Sequence, residues 1–103
     1  MYAHVNVWTL TDRGAAWKDD AARAIAARLR DQPGFHSYTV IRTAEWELVV
    51  VTVFDSAEEL ELAIEAVGPT VREHIVPVVE PQPEKRRGAV LLHVPAPRRA
   101  EAA

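Results

Sequence analysis

The sequence predicts a small α+β domain built on one four-stranded antiparallel sheet, in the order β-α-β-β-α-β. Three observations carry this. Residues 2–10 (YAHVNVWTL) alternate with a period of two, the mark of a strand. Two stretches, 15–31 and 56–67, place apolar residues at helical spacing. Three further runs, 35–43, 46–54 and 87–94, are short and rich in β-branched or aromatic residues, as strands are. This order is the ferredoxin-like split βαβ arrangement.

In the first strand Ala3, Val5 and Val7 point one way, and Tyr2, His4, Asn6 and Trp8 the other. Thr11-Asp12-Arg13-Gly14 breaks it. The first helix is rich in Ala, Arg and Leu, residues of high helix propensity. Ala21, Ala22, Ile25 and Leu29 form one stripe, with Arg23, Arg28 and Arg30 largely off it. Gln32-Pro33-Gly34 ends the helix. The runs FHSYTVIRT and WELVVVTVF read as a hairpin. A two-residue loop at Ala44-Glu45 would set Arg42 opposite Glu47 as a cross-strand ion pair, although neither loop residue is favoured in such a turn. Ser56 and Glu59 have capping-box spacing, and Leu60, Ile64 and Val67 follow at i, i+4 and i+7. Gly68-Pro69 is expected to interrupt this second helix. Thr70 and Glu73 repeat the box, so 70–77 reads as a short continuing helix set at an angle. The stretch HIVPVVEP could instead be a strand, but Pro77 argues against a central one. Pro81 to Glu84 reads as a loop and 87–94 as the last strand. The chain is thus one domain over 1–94, with a tail, 95–103, that is expected to be disordered.

The predicted sheet is apolar on both faces. The strand 46–54 holds Leu48, Val50 and Phe54 on one side and Val49, Val51 and Val53 on the other. Its hairpin partner splits Phe35 and Ile41 from Tyr38 and Val40, and the last strand splits Ala89 and Leu91 from Val90 and Leu92. Helices can cover only one face, and antiparallel sheets that leave the other to water are usually polar there. Leaving such side chains exposed forgoes roughly 1.5–3 kcal/mol each. With 103 residues there is little chain left to cover the second face, so a homodimer is expected.

Composition excludes several classes. Twelve basic against fifteen acidic side chains give a net charge of −3, which is no footprint for nucleic acid. The basic clusters Lys85-Arg86-Arg87 and Arg98-Arg99 read as solvated loop and tail charge. The absence of cysteine rules out disulfides, thiolate chemistry and Cys-zinc sites. No apolar run approaches the ~20 residues of a membrane span. The N-terminus shows no basic region followed by an apolar stretch, so a cytoplasmic location is the default expectation.

Candidate chemistry centres on the first strand. His4, Asn6 and Trp8 share one face, an unusual set for a central strand. They could form a pocket wall, Asn6 donating a hydrogen bond to a substrate oxygen and Trp8 stacking on a ring. They could equally lie at a strand end or subunit seam and bond to backbone groups. Tyr38 and Trp46 are aromatic hairpin positions expected on opposite faces; core packing or a subunit contact is the plainer role for Trp46. His74 could act as a base or ligand, although a histidine there is more often a surface residue. His36 and His93 read as structural. The four histidines show no ligand spacing, so no metal is expected, and the isolated glycines form no phosphate loop.

The chain resembles the dimeric α/β-barrel superfamily, in particular the antibiotic biosynthesis monooxygenase-like domains, over roughly residues 2–94. The resemblance is carried by the alternating first strand with Asn6, the Pro33-Gly34-Phe35 entry to the second strand, the third strand ending Val53-Phe54-Asp55-Ser56, and the Glu-rich helix after it. The stretch from Val71-Arg72-Glu73-His74 to Pro77, the proline-containing loop and Arg87-Gly88 add to it. It implies a homodimer of ferredoxin-like subunits with facing sheets, the dimeric α/β barrel. Some members are oxygenases needing no metal or flavin, in which Asn, Trp and Tyr side chains position a phenolic substrate whose own anion reacts with oxygen. That constellation is echoed by Asn6, Trp8, Tyr38 and Trp46. A second branch degrades haem with a first-strand Asn, a Trp on the second helix and a His near that helix's end. Asn6 and His74 match, but the second helix has no Trp; its inward positions hold Leu60, Ala63 and Ile64. Three readings follow: a cofactor-independent monooxygenase acting on a small aromatic substrate (Asn6, Trp8 and His74 catalytic; His4, Tyr38 and Trp46 binding), a non-catalytic small-molecule-binding or structural dimer, and, disfavoured, a haem-degrading enzyme.

Overall fold

The computed structural model describes residues 1–12 and 19–97, with only the backbone of Asp19. In chain order it contains β1 (Tyr2–Thr9), α1 (Asp19–Arg30), β2 (Phe35–Ala44), β3 (Glu47–Phe54), α2 (Ala57–His74), a 3₁₀ turn at Val76–Val78 and β4 (Glu84–Ala89). The strands form one open antiparallel sheet in the order β2-β3-β1-β4. This is the predicted β-α-β-β-α-β layout. The expected first turn of the first helix, 15–18, and the end of the tail, 98–103, lie outside the described residues.

Both helices pack on one face of the sheet. The core between them is Leu10, Ile25, Leu29, Leu48, Phe54, Leu60, Ala63, Val67, Ile75 and Val79. Leu29, Phe54 and Leu60 are its largest fully buried side chains. Phe54 meets Phe35 edge to face, ring centres 5.7 Å apart, a favoured aromatic geometry. Strand β3 shows the period-two rule plainly: Leu48, Val50, Thr52 and Phe54 are buried, and Val49, Val51 and Val53 between them are only half-buried.

The turn between α1 and β2 needs its glycine. Gly34 has φ +82°, a conformation that costs side chains with a Cβ. A Cβ there would also fall 2.5 Å from the Glu59 carboxylate. Glu59 belongs to the cap of α2: the Ser56 hydroxyl accepts from Glu59 N–H at 3.2 Å and donates to Glu59 Oε1 at 3.1 Å. Half of the capping box read from the sequence is therefore formed: Ser56 caps Glu59 N–H, and the glutamate bonds the serine hydroxyl rather than its backbone N–H.

Three element boundaries differ from the sequence reading. First, the hairpin loop is Glu45-Trp46, one residue later than expected. Irregularities at 35/37 and 42/44 shift the register, so Arg42 faces Leu48 and the expected Arg42–Glu47 pair does not form. Instead Arg42 Nη1 donates to the Glu45 carbonyl (2.7 Å) and Thr43 Oγ1 to Glu47 Oε1 (2.6 Å). A bulge inserts one residue at no cost to the buried face, which period-two counting cannot register. Second, Gly68-Pro69 does not interrupt α2. The buried stripe Leu60, Ala63, Val67 continues to Ile75, and Pro69 is exposed on the other side. Packing along the stripe outweighs the one lost backbone bond. The segment 76–80 is then neither an angled helix nor a regular strand: the 3₁₀ turn holds Pro77, and Val79 makes a single bridge to Leu10. Third, the last strand is Glu84–Ala89, not 87–94. Its partner β1 runs out at Tyr2, and after the bond from Val90 N–H to Met1 O the chain has nothing to pair with. Leu91, Leu92 and Val94 are consequently almost fully exposed.

Truncating Phe54 to alanine removes a fully buried ring and is expected to cost about 3–5 kcal/mol, a large share of a small domain's stability. The same change at the half-exposed Ile41 is expected to cost well under half of that. Urea denaturation of the two variants beside the parent chain measures both.

Candidate functional site

Strand β1 is central, and its helix-side face carries His4, Asn6 and Trp8. Polar side chains on the covered face of a central strand leave the layer incompletely filled. A cavity of about 230 Å³ lies there. Trp8, Tyr38, Leu48, Val50 and Thr52 from the sheet form its floor. Ile25 and Leu29 of α1, and Ile64, Val67, Gly68, Val71 and Ile75 of α2, cover it. An apolar cavity of roughly 150 Å³ holds a benzene ring, so this space suits a ligand of one or two rings.

The cavity's charged residues come from elsewhere. Antiparallel pairing places Arg87 opposite His4 and Lys85 opposite Asn6, so both basic side chains emerge on the cavity side. Arg72 approaches from α2, its guanidinium lying over Gly68. The Lys85-Arg86-Arg87 cluster is therefore not simple solvated loop charge: it lies on a strand, and two of its three members line the cavity. Their i, i+2 spacing was the sequence signal. It becomes informative only once the strand and its register with β1 are known.

His4 is 5 % exposed and bonded on one side. Arg87 Nε–H donates to His4 Nδ1 at 2.8 Å. An arginine N–H can only donate, so this bond assigns Nδ1 as acceptor and puts the proton of the neutral ring on Nε2. Burial lowers the His4 pKa from 6.5. The positive charges of Arg87 and Lys85 lower it further, with the neighbouring Asn6 side chain pulling the other way. His4 is thus held as a neutral N–H donor, without a lone pair to spare for a proton. Arg87 is oriented in turn by Glu61, whose Oε2 lies 3.4 Å from Nη1. Asn6 Oδ1 is buried and makes no hydrogen bond of normal geometry, although the Asn6 side chain lies close enough to His4 to raise its pKa; buried polar atoms rarely lack a well-formed bond. Burial pushes the Tyr38 phenol up to about 12, so it too remains a donor.

The structure therefore gathers His4, Asn6, Trp8 and Tyr38 around one space. It does not bring Trp46 or His74 to it. Trp46 sits in the hairpin turn, partly exposed, and its carbonyl accepts from Leu10 N–H. His74 is the exposed last residue of α2. The other notable histidine contact is peripheral: His36 Nε2 lies 2.5 Å from Asp55 Oδ1, both exposed. Among the described residues no three His, Asp or Glu side chains could hold a metal ion together, and no helix is long and apolar enough to cross a membrane.

No family model matches the sequence, and no curated protein matches it. Solved structures do. SnoaB, a cofactor-independent oxygenase from Streptomyces nogalater, superposes with a TM-score of 0.74 at 19% identity, over 92% of this chain and 97% of that one. Rv0793 from Mycobacterium tuberculosis gives 0.75 at 16% identity, over 91% and 98%. A proposed antibiotic biosynthesis monooxygenase from Nitrosomonas europaea gives 0.76 at 13% identity, over 89% and 100%. The chain has the fold of the antibiotic biosynthesis monooxygenase proteins, as the sequence resemblance implied.

The lowered His4 pKa ties stability to pH. The unfolded chain takes up this proton near pH 6.5 and the folded chain only at lower pH, so the fold loses stability as pH falls below about 6.5. Asparagine at position 4 keeps an acceptor for Arg87 but does not titrate. His4→Asn is therefore expected to lose less stability than the parent chain between pH 7.5 and pH 5, as read by urea unfolding at the two pH values.

Proposed function

We propose that this protein is an antibiotic biosynthesis monooxygenase-like enzyme that oxidises a small aromatic substrate without metal or flavin. The observation that carries the reading is the cavity itself. It has apolar walls, Trp8 and Tyr38 to flank a ring, and Asn6 among its few polar lining residues. An apolar pocket with a few convergent polar groups is the usual form of a small-molecule site. The likeness in fold to SnoaB, a cofactor-independent oxygenase, adds support.

In this reading the chain's residues bind and orient, and the substrate supplies the electrons. The Asn6 side-chain NH₂, His4 Nε2–H and the Tyr38 hydroxyl can donate to ring oxygens, which favours a substrate that binds already as an anion. The substrate anion then reacts with oxygen: an activated ring CH₂ becomes C=O, and the second oxygen atom leaves as water. A cavity of about 230 Å³ favours one or two rings over the larger polycyclic phenols. The haem-degrading reading is not adopted, because α2 turns Leu60, Ala63 and Ile64 inward and His74 lies outside the cavity.

A non-catalytic binding protein is the second reading, and two observations favour it: among the described residues no Asp or Glu lines the cavity, and the His4 lone pair is already engaged. Oxygen consumption separates the two. With 1,4-dihydroxynaphthalene and related one- and two-ring phenols, the enzyme reading expects uptake above the spontaneous rate, falling at least about tenfold in Asn6→Ala. Binding without protein-dependent uptake across the series would leave the carrier reading.

We further infer that the chain works as a homodimer. The sheet face away from the helices carries Val5, Val7, Val49, Val51 and Val53, none fully buried, and Ile41 is 44% exposed. Leu91, Leu92 and Val94 extend beyond the sheet at 96%, 82% and 79% exposure. A second copy would remove this apolar surface from water. Light scattering coupled to gel filtration is expected to give twice the 11.5 kDa chain mass, and Val51→Lys, with a charge at the centre of that face, is expected to shift the mass towards the monomer.

A further inference from the structure

The chain as a whole is acidic, with fifteen acidic against twelve basic side chains. The cavity inverts that balance. Among the described residues its charged lining is Arg72, Lys85 and Arg87, with no carboxylate beside them. All three are exposed, so they form a rim around an apolar interior. Charge of one sign beside low-dielectric walls concentrates the field and raises the local population of the opposite charge.

Two of the three cations are not neutralised in place. Glu61 reaches only Arg87, at 3.4 Å, from a largely exposed position, where screening by water leaves it a weak partner. Neither the Lys85 nor the Arg72 side chain has an ion-pair or hydrogen-bond partner among the described residues. Among the described residues the interior also lacks a group able to take a proton: His4 presents N–H, Tyr38 keeps its own proton, and no carboxylate lines it. A ligand that had to be ionised after binding would find no base. One that arrives ionised needs none.

We propose that the cavity selects an aromatic acid, a ligand of one or two rings already negatively charged at neutral pH, with its acidic group at the Lys85–Arg87–Arg72 rim and its rings between Trp8, Tyr38 and the helices. The proposal deepens the functional reading above, since it rests on this cavity being the ligand site. It does not depend on oxygenation. The charge fixes which end of the ligand faces solvent and leaves the far ring beside Asn6.

Isothermal titration calorimetry with 2-naphthoate and its uncharged isostere 2-naphthamide tests it on the intact chain at pH 7.5. The naphthoate is expected to bind about tenfold tighter or more, in line with one charge-assisted contact. Lys85→Gln and Arg72→Gln are each expected to weaken naphthoate several-fold and leave naphthamide unchanged. Added salt should act on naphthoate alone. Equal affinity for the two, no naphthoate binding at millimolar concentration, or indifference of naphthoate to both neutralised variants would overturn the proposal. Naphthamide bound without preference for naphthoate would leave the oxygenase reading intact. Tight naphthoate binding with no protein-dependent oxygen uptake across the phenol series would reject the oxygenase reading and keep this one.

Discussion

β1 is hydrogen-bonded on both sides, to β3 and to β4, and the cavity depends on the register of that double pairing. On one side it sets His4 beside Thr52 and Asn6 beside Val50; on the other it sets His4 beside Arg87 and Asn6 beside Lys85. A slip by one residue would turn Val5 and Val7 toward the helices and carry His4, Asn6 and Trp8 to the opposite face. The register is held by the buried apolar residues of β3, Leu48, Val50 and Phe54. Packing of the hydrophobic layer thus determines which polar side chains face one another several ångströms away.

That layer contains polar groups that would be costly unless paired. His4 is paired through Nδ1, and its pairing is what removes it as a base. Asn6 Oδ1 makes no hydrogen bond of normal geometry. A core selected for stability alone would place aliphatic residues at both positions, as β3 does with Leu48 and Val50. The poorly bonded amide, the neutral imidazole and the open volume beside them form one local departure from efficient packing. Such departures are expected where a binding surface has to be kept available.

Much of the fold was legible in the sequence, because the relevant signals are local. The period of two in β1 and β3, the Ser56–Glu59 cap and the glycine turn at 34 each depend on neighbouring residues. His4, Asn6 and Trp8 were legible as a shared face for the same reason. What the sequence did not disclose depends on contacts between distant segments. Whether Pro69 ends a helix is decided by the stripe packing on either side of it. Where the last strand stops is decided by where β1 begins, although Leu91 to Val94 have every local feature of a strand. Lys85 and Arg87 read as ordinary surface charge until β1–β4 pairing brings them beside residues more than seventy positions earlier. That Trp46 and His74 lie away from the cavity has the same origin, since aromatic or imidazole character says nothing about which end of the sheet a side chain occupies.

β4 also has an open outer edge, because the sheet ends there. An edge strand exposes unpaired backbone groups on which another chain can build a cross-β stack. Glu84, Lys85, Arg86 and Arg87 follow one another along this edge. Stacking copies in register would bring like charges within a strand spacing of each other, about 4.8 Å. The residues that shape the cavity on one side therefore guard the sheet against fibrillar growth on the other. A lineage that traded these charges for apolar residues to accept a neutral ligand would give up part of that protection, which couples ligand preference in this fold to resistance against aggregation.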